Sequence, residues 1–323
     1  MRWSVRVLTR FATCVTLTAL PAVVEAQAPQ IPAWLNRHVG YDDGQIAPVV
    51  LLRARDLYLR KRAEGAVRNG CYLAMDATKP STMGNEAAKR FYVICEDARR
   101  FRAVSSGYGN GRNLQRANFA NGRQCAKHFS NAEGSKLTMG GNYMTAETRT
   151  SFKGYYKQGG EMRPFYRSFL QFEGEGETKN ARERAIGGHQ AMFLKWQCRT
   201  KDPSSRHADD EGYVPVGQLV DYTAGRSNGC TTWSAEASAE ILKLVGKEPT
   251  TLYLYPESKD IDAVAQAVAR GQSPAQAGAY WNEACLREIG APTFWPKRKL
   301  QPIINEWRRS LPKNPPLELP ICK

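Results

Sequence analysis

Apolar residues in the chain follow three successive rhythms. Around 48–63 they recur at helical spacing: Val49, Val50, Leu52, Ala54, Leu57, Tyr58 and Ala63 can share one face, and Pro48 suits the first turn. Arg53, Arg55, Arg60, Lys61 and Arg62 fall outside that face and read as its solvated side. From about Cys71 to Pro256 short β-type runs take over, with candidate strands at 71–75, 90–95, 101–106, 142–148, 165–172, 185–194 and 251–255. Gly-rich breaks such as Gly107, Tyr108, Gly109, Asn110, Gly111 separate them. Beyond Glu257 the helical rhythm returns, with Ser273 and Pro274 as N-cap and N1 of a helix ending near Gly290. The pattern predicts a mainly β domain over 70–256, a helical segment over 29–69 and a helical extension over 257–323.

The first 28 residues are set apart. Arg2, Arg6 and Arg10 precede an apolar run from Phe11 to Leu20, and Ala26, Gln27, Ala28 supply a cleavage pattern, so 1–28 reads as a secretory signal peptide. The run is too short to span a bilayer and no later stretch is long enough, which predicts a periplasmic or secreted protein with no integral membrane segment. Cys14 has no Leu three residues before it, which argues against a lipid anchor. Loss of the signal leaves seven of the eight cysteines, an odd number that predicts three disulfides and one free thiol. Cys71 and Cys95, on neighbouring candidate strands, can pair. There is no C-x-x-C pair, and the histidines and cysteines are scattered, so neither a metal nor a cofactor is expected.

The formal charge is +15, and losing the signal's three arginines and one glutamate takes two from it, leaving +13. Outside the cytoplasm nucleic acid drops out as a partner; cell-wall peptides with free carboxylates, anionic polymers and lipid headgroups remain, as does a general solubility role.

Candidate chemistry centres on Gly225, Arg226, Ser227, Asn228, Gly229, Cys230. Two glycines bracket the stretch and leave little bulk beside the thiol, whose nucleophilic form is the thiolate. Ser234 reads as N-cap of a helix with Ala237, Ile241, Leu242 and Val245 on its apolar face, stopped by Gly246. Cys230 is therefore expected just before a helix N-terminus, where the dipole favours an anion. Half of a turn disulfide is the competing role for Cys230. All four histidines, His38, His128, His189 and His207, precede Cys230, which excludes papain-like and NlpC-type peptidases, where the cysteine comes first. His189 follows Ala185, Ile186, Gly187, Gly188, so a backbone carbonyl near the strand end can fix its tautomer while the other ring nitrogen takes the thiol proton.

Asn180, Ala181, Arg182, Glu183, Arg184, Ala185, Ile186, then His189, then Gly225, Arg226, Ser227, Asn228, Gly229, Cys230 resemble the N-A-R-x-R-A-I, H and G-R-S-x-G-C signatures of the murein L,D-transpeptidase catalytic-domain-like branch of the YkuD superfamily. Upstream stretches agree in order, including Asp76 to Ser81, Phe129 to Asn131 and Gly141 to Thr148, so the resemblance spans roughly Cys71 to Pro256. It implies a β-sandwich or barrel in which a cysteine attacks a meso-diaminopimelate carbonyl of a peptidoglycan stem peptide, releases D-alanine and passes the acyl group to another amine. By position it makes Cys230 the nucleophile, His189 the base and Ser227 a support, with the N–H groups of Gly229 and Cys230 as oxyanion donors. Arg226, with Asn228 beside it, is the candidate for substrate binding; for Arg226 a structural ion pair is the competing role. The sequence departs from the pattern at Gln190 and Thr231, and a polar stretch at 199–212 lengthens the interval between His189 and Cys230. That stretch is either a lid or a surface loop, and it carries His207 as a rival base. An L,D-carboxypeptidase using the same site and a non-catalytic cell-wall-binding protein are the alternative functions.

Overall fold

The computed structural model describes residues 30–312 and 318–323; the expected signal peptide at 1–28 lies outside them. Ten strands make one mixed sheet: β1 (Cys71–Asp76), β2 (Lys89–Cys95), β3 (Arg100–Ser105), β4 (Gly141–Gln158), β5 (Glu161–Gly174), β6 (Gly187–Gln190), β7 (Met192–Lys201), β8 (Tyr213–Asp221), β9 (Thr231–Trp233) and β10 (Thr251–Tyr255). Their order is β9, β6, β5, β4, β10, β1, β2, β3, with the β7–β8 hairpin joined to β4 through β8. Past β3, the N–H of Gly107 donates to the carbonyl of Thr232 in β9 at 3.0 Å, so the sheet curls until its two ends meet.

Strands β1, β2 and β10 are covered on both faces, which explains their continuous apolar runs. On one face Leu73, Met75, Phe91, Leu252 and Leu254 share a core with Trp233 and with helices α2 (Ala235–Val245) and α3 (Ser258–Ala269). On the other, Tyr72, Ala74, Tyr92, Tyr253 and Tyr255 meet α1 (Pro48–Ala63). The buried side of α1 is Val50, Leu51, Ala54, Leu57 and Tyr58, so Leu51 takes the place expected of Leu52, and Ala63 is exposed. Its basic side is only partly solvated. Arg53 forks onto Asp260 of α3 at 2.6 and 2.9 Å, and Arg55 pairs with Glu96 beyond β2 at 2.7 Å. Helices α1 and α3, from the two helical ends of the chain, thus pack on opposite faces of the sheet.

The predicted strands 142–148 and 165–172 are parts of a much longer hairpin, 18 and 14 residues per arm, turned by Gly159 and Gly160 at positive φ. The predicted run 185–194 is broken twice: Ala185 lies in a turn at φ 52°, and the chain bends at Ala191 between β6 and β7. The expected helix 273–290 is also interrupted. A single 3-10 turn over Ala275–Ala277 ends at Gly278 in the left-handed region, and α4 (Glu283–Ile289) starts afresh with Asn282 accepting from the Cys285 N–H. A last helix, α5 (Lys297–Ser310), precedes the tail.

Three disulfides close: Cys71–Cys95, directly opposite each other on β1 and β2, Cys125–Cys285 and Cys198–Cys322. Cys230 is the free cysteine among the described residues. Such bridges persist in oxidising compartments. No helix among the described residues is long and apolar enough to cross a membrane.

Candidate active site

The pairing of β6 with β9 places His189 and Cys230 on one cleft. Parallel register sets Gly188 opposite Thr231 and His189 opposite Thr232. Cys230 lies in the bend immediately before Thr231. The cleft, of about 840 Å³, is also lined by Arg226, Ser227 and Asn228. Trp233 fixes this pairing from behind, because its ring fills the space a Cβ on Gly188 would take.

Ser227 sets the turn into Cys230. Its hydroxyl donates to the Cys230 carbonyl at 2.6 Å and accepts from the Gly229 N–H at 3.1 Å. The Gly229 N–H expected to serve as an oxyanion donor is therefore already bonded, which leaves the Cys230 N–H as the donor at this turn. Gly229 adopts φ 114°, and a Cβ there would meet the Leu137 carbonyl at 3.0 Å. The turn is braced from the far side by Arg90, which is fully buried and donates to the carbonyls of Ser106 and Lys79, each at 2.7 Å. Ser106 leads into Gly107, bridged to Thr232, and into Tyr108 and Gly109, which pair with Arg226 and Ser227.

The helix dipole does not reach the thiol. Ser234 does cap α2, accepting from the Ala237 N–H at 3.2 Å, but strand β9 intervenes and holds Cys230 roughly 10 Å from the helix start. Cys230 is 8 % exposed, and its thiol donates to the Ala185 carbonyl at 3.5 Å. The thiol pKa is raised by burial, a shift that the Gly187 N–H and the guanidiniums of Arg167, Arg184 and Arg149 offset only in part.

His189 is 6 % exposed, and its Nδ1 lies 2.8 Å from the Gln190 carbonyl. A carbonyl can only accept, so Nδ1 carries the proton and Nε2 keeps its lone pair. Burial, reinforced by Arg167, lowers the imidazole pKa to about 4, so the ring is neutral near pH 7. The ring stacks on Phe169 of β5, its register partner. His207, the rival base, does not line this cleft; it is buried against Tyr155 and Tyr166 near the tip of the long hairpin. The polar stretch expected as a lid or loop is partly strand, since β7 runs to Lys201, and the remainder is the β7–β8 turn.

The sequence reading missed most of the cleft's charge. Arg149, Arg167 and Arg184 line it together with Arg226, and among the described residues none of the four has a carboxylate partner. Arg149 lies over the Phe169 ring at 4.9 Å and Arg167 over the Phe152 ring at 4.5 Å. Arg167 also donates to Ser151 Oγ at 2.9 Å and to the Met192 carbonyl at 3.2 Å, and Arg184 to the Leu137 carbonyl at 2.6 Å. Arg226 donates to the Asn121 carbonyl, with no ion pair among the described residues, and keeps other N–H groups at the cleft. One signal was present in the sequence: Arg167 alternates with Phe165 and Phe169, a charge on the buried side of a strand.

Comparisons of this chain with family models, with curated proteins and with solved structures return no match.

Proposed function

We propose that the chain is a cysteine-dependent L,D-transpeptidase-like acyltransferase of the periplasm or cell exterior, with a YkuD-like β fold, acting on peptidoglycan stem peptides. The observation that carries this reading is the convergence, at one cleft, of the unpaired Cys230, a tautomer-fixed His189 and four arginines without carboxylate partners. A stem peptide brings the carboxylates those arginines lack.

In the proposed reaction His189 Nε2 takes the Cys230 proton as Sγ bonds to the donor carbonyl, and the Cys230 N–H faces the developing oxyanion, where a well-placed donor contributes about 3 kcal/mol. The protonated imidazole returns its proton to the departing D-alanine amine as the C–N bond breaks. An incoming amine then attacks the thioester and regenerates the thiol. Water in its place makes the same site an L,D-carboxypeptidase, distinguished by shortened stem peptides without new cross-links.

The deep burial of Sγ, with its donated bond to Ala185, favours a second reading: a wall-binding protein that keeps the fold without chemistry. Intact-mass spectrometry of the non-reduced chain with a carbapenem separates the two. One adduct, mapped to Cys230, supports the acyltransferase; an inert thiol in a protein that still sediments with murein leaves the binding reading.

A further inference from the structure

Beside the cleft lies a second hollow of about 620 Å³, enclosed by β4, the β7–β8 hairpin and the C-terminal tail. The two share the wall formed by 150–152. We propose that this hollow binds an uncharged oligosaccharide of N-acetylated hexosamines, the glycan to which the stem peptide in the neighbouring cleft is attached. The inference rests on the peptide reading of that cleft.

Three observations point to sugar. Trp196 is 46 % exposed on the hollow's wall, with its ring 5.5 Å from that of Phe152, offering an aromatic platform to the apolar face of a pyranose. The charged groups around it carry both signs, unlike those of the all-basic arginine cleft. Arg199 pairs with Glu318 at 2.9 Å and Glu211 at 3.4 Å, Asp209 accepts the Tyr213 and Glu211 N–H groups, and Lys153 donates to the Ala208 carbonyl. Such a rim favours a neutral polar ligand over an ion. Finally, Arg199, on the hollow's wall, keeps a buried Nε without a partner among the described residues. The Cys198–Cys322 bridge and the paired backbones of Arg199 and Ile321 hold the tail in place, so little ordering accompanies binding.

The test is calorimetric titration of the full chain with a β-1,4-linked N-acetylglucosamine hexamer, using wild type, Cys230→Ala, Trp196→Ala and Trp196→Tyr. Saturable binding is expected, unchanged in Cys230→Ala, weakened about tenfold in Trp196→Ala and largely restored by the tyrosine. No binding, or equal binding by Trp196→Ala, overturns the inference, as does competition by a sugar-free stem peptide, which assigns the hollow to peptide. The two proposals fail separately: hexamer binding without a carbapenem adduct sinks the acyltransferase alone, and an adduct without hexamer binding sinks the glycan site alone.

Discussion

His189 ties the chemistry of the cleft to the stability of the fold. An imidazole with a folded pKa of about 4 against an ordinary 6.5 takes up a proton in the unfolded chain first as the pH falls. Its contribution is therefore complete above about pH 6.5, drains away between there and about pH 4, and is flat below. Integrating one proton over that window gives a loss of about 2 kcal/mol between pH 7 and pH 5, with a limiting slope of about 1.4 kcal/mol per pH unit. The measurement is urea unfolding of wild type and His189→Gln at half-unit steps from pH 7.5 to 4.5. Comparing slopes removes the baseline effect of the substitution and also the effect of His128, which burial likewise lowers to about 4. Wild type is expected to lose about 2 kcal/mol more than the variant by pH 5. Parallel curves would refute the buried, neutral imidazole and with it the Nε2 lone pair that the mechanism uses. The same neutrality predicts that acylation of Cys230 persists to pH 5 while the fold weakens beneath it.

Two further outcomes follow from the cleft. Gly229→Ala places a side chain at φ 114° against the Leu137 carbonyl and should cost about 1–3 kcal/mol in urea unfolding, with loss of the carbapenem adduct. Arg167→Gln removes a charge that lowers the thiol pKa, so iodoacetamide alkylation of Cys230 at pH 7 should slow severalfold, and its pH midpoint should move upward.

What the sequence disclosed depended on how completely each element is buried. The strands around Leu73, Val93 and Leu252 face protein on both sides, and the helix after Ser234 has both a cap and a stripe, so pattern alone located them. The outer half of the β4–β5 hairpin was hidden because residues such as Lys153, Lys157 and Arg163 look outward there, and nothing marks a strand when packing makes no demand on its residues. The helix expected from Ser273 fails for a local reason: Gly278 adopts a left-handed conformation that ends the turn. At the site, Cys230, His189 and Ser227 could be named from motif and order. The three added arginines could not, since only the register of β4 with β5 and the turn that precedes β6 bring them to one cleft. That the Gly229 amide bonds within its own turn could not be foreseen, since such a hydrogen bond is invisible in a motif.

The position of β10 bears on how the protein is made. This strand lies between β1 and β4, pairing Leu73 with Leu252 and Asn142 with Tyr253, yet it is the last strand of the sheet to leave the ribosome or to cross a membrane. Until it arrives the two halves of the sheet can meet only through the bridge between Gly107 and Thr232, and the nascent chain holds Cys230 in no defined setting. Meanwhile Cys71 and Cys95, 24 residues apart, can find each other locally, whereas partners 124 and 160 residues apart must wait. The chain thus passes through a period in which Cys230 is one of several unpaired thiols, and oxidative maturation has to spare it; only a full-length molecule withdraws it from that competition.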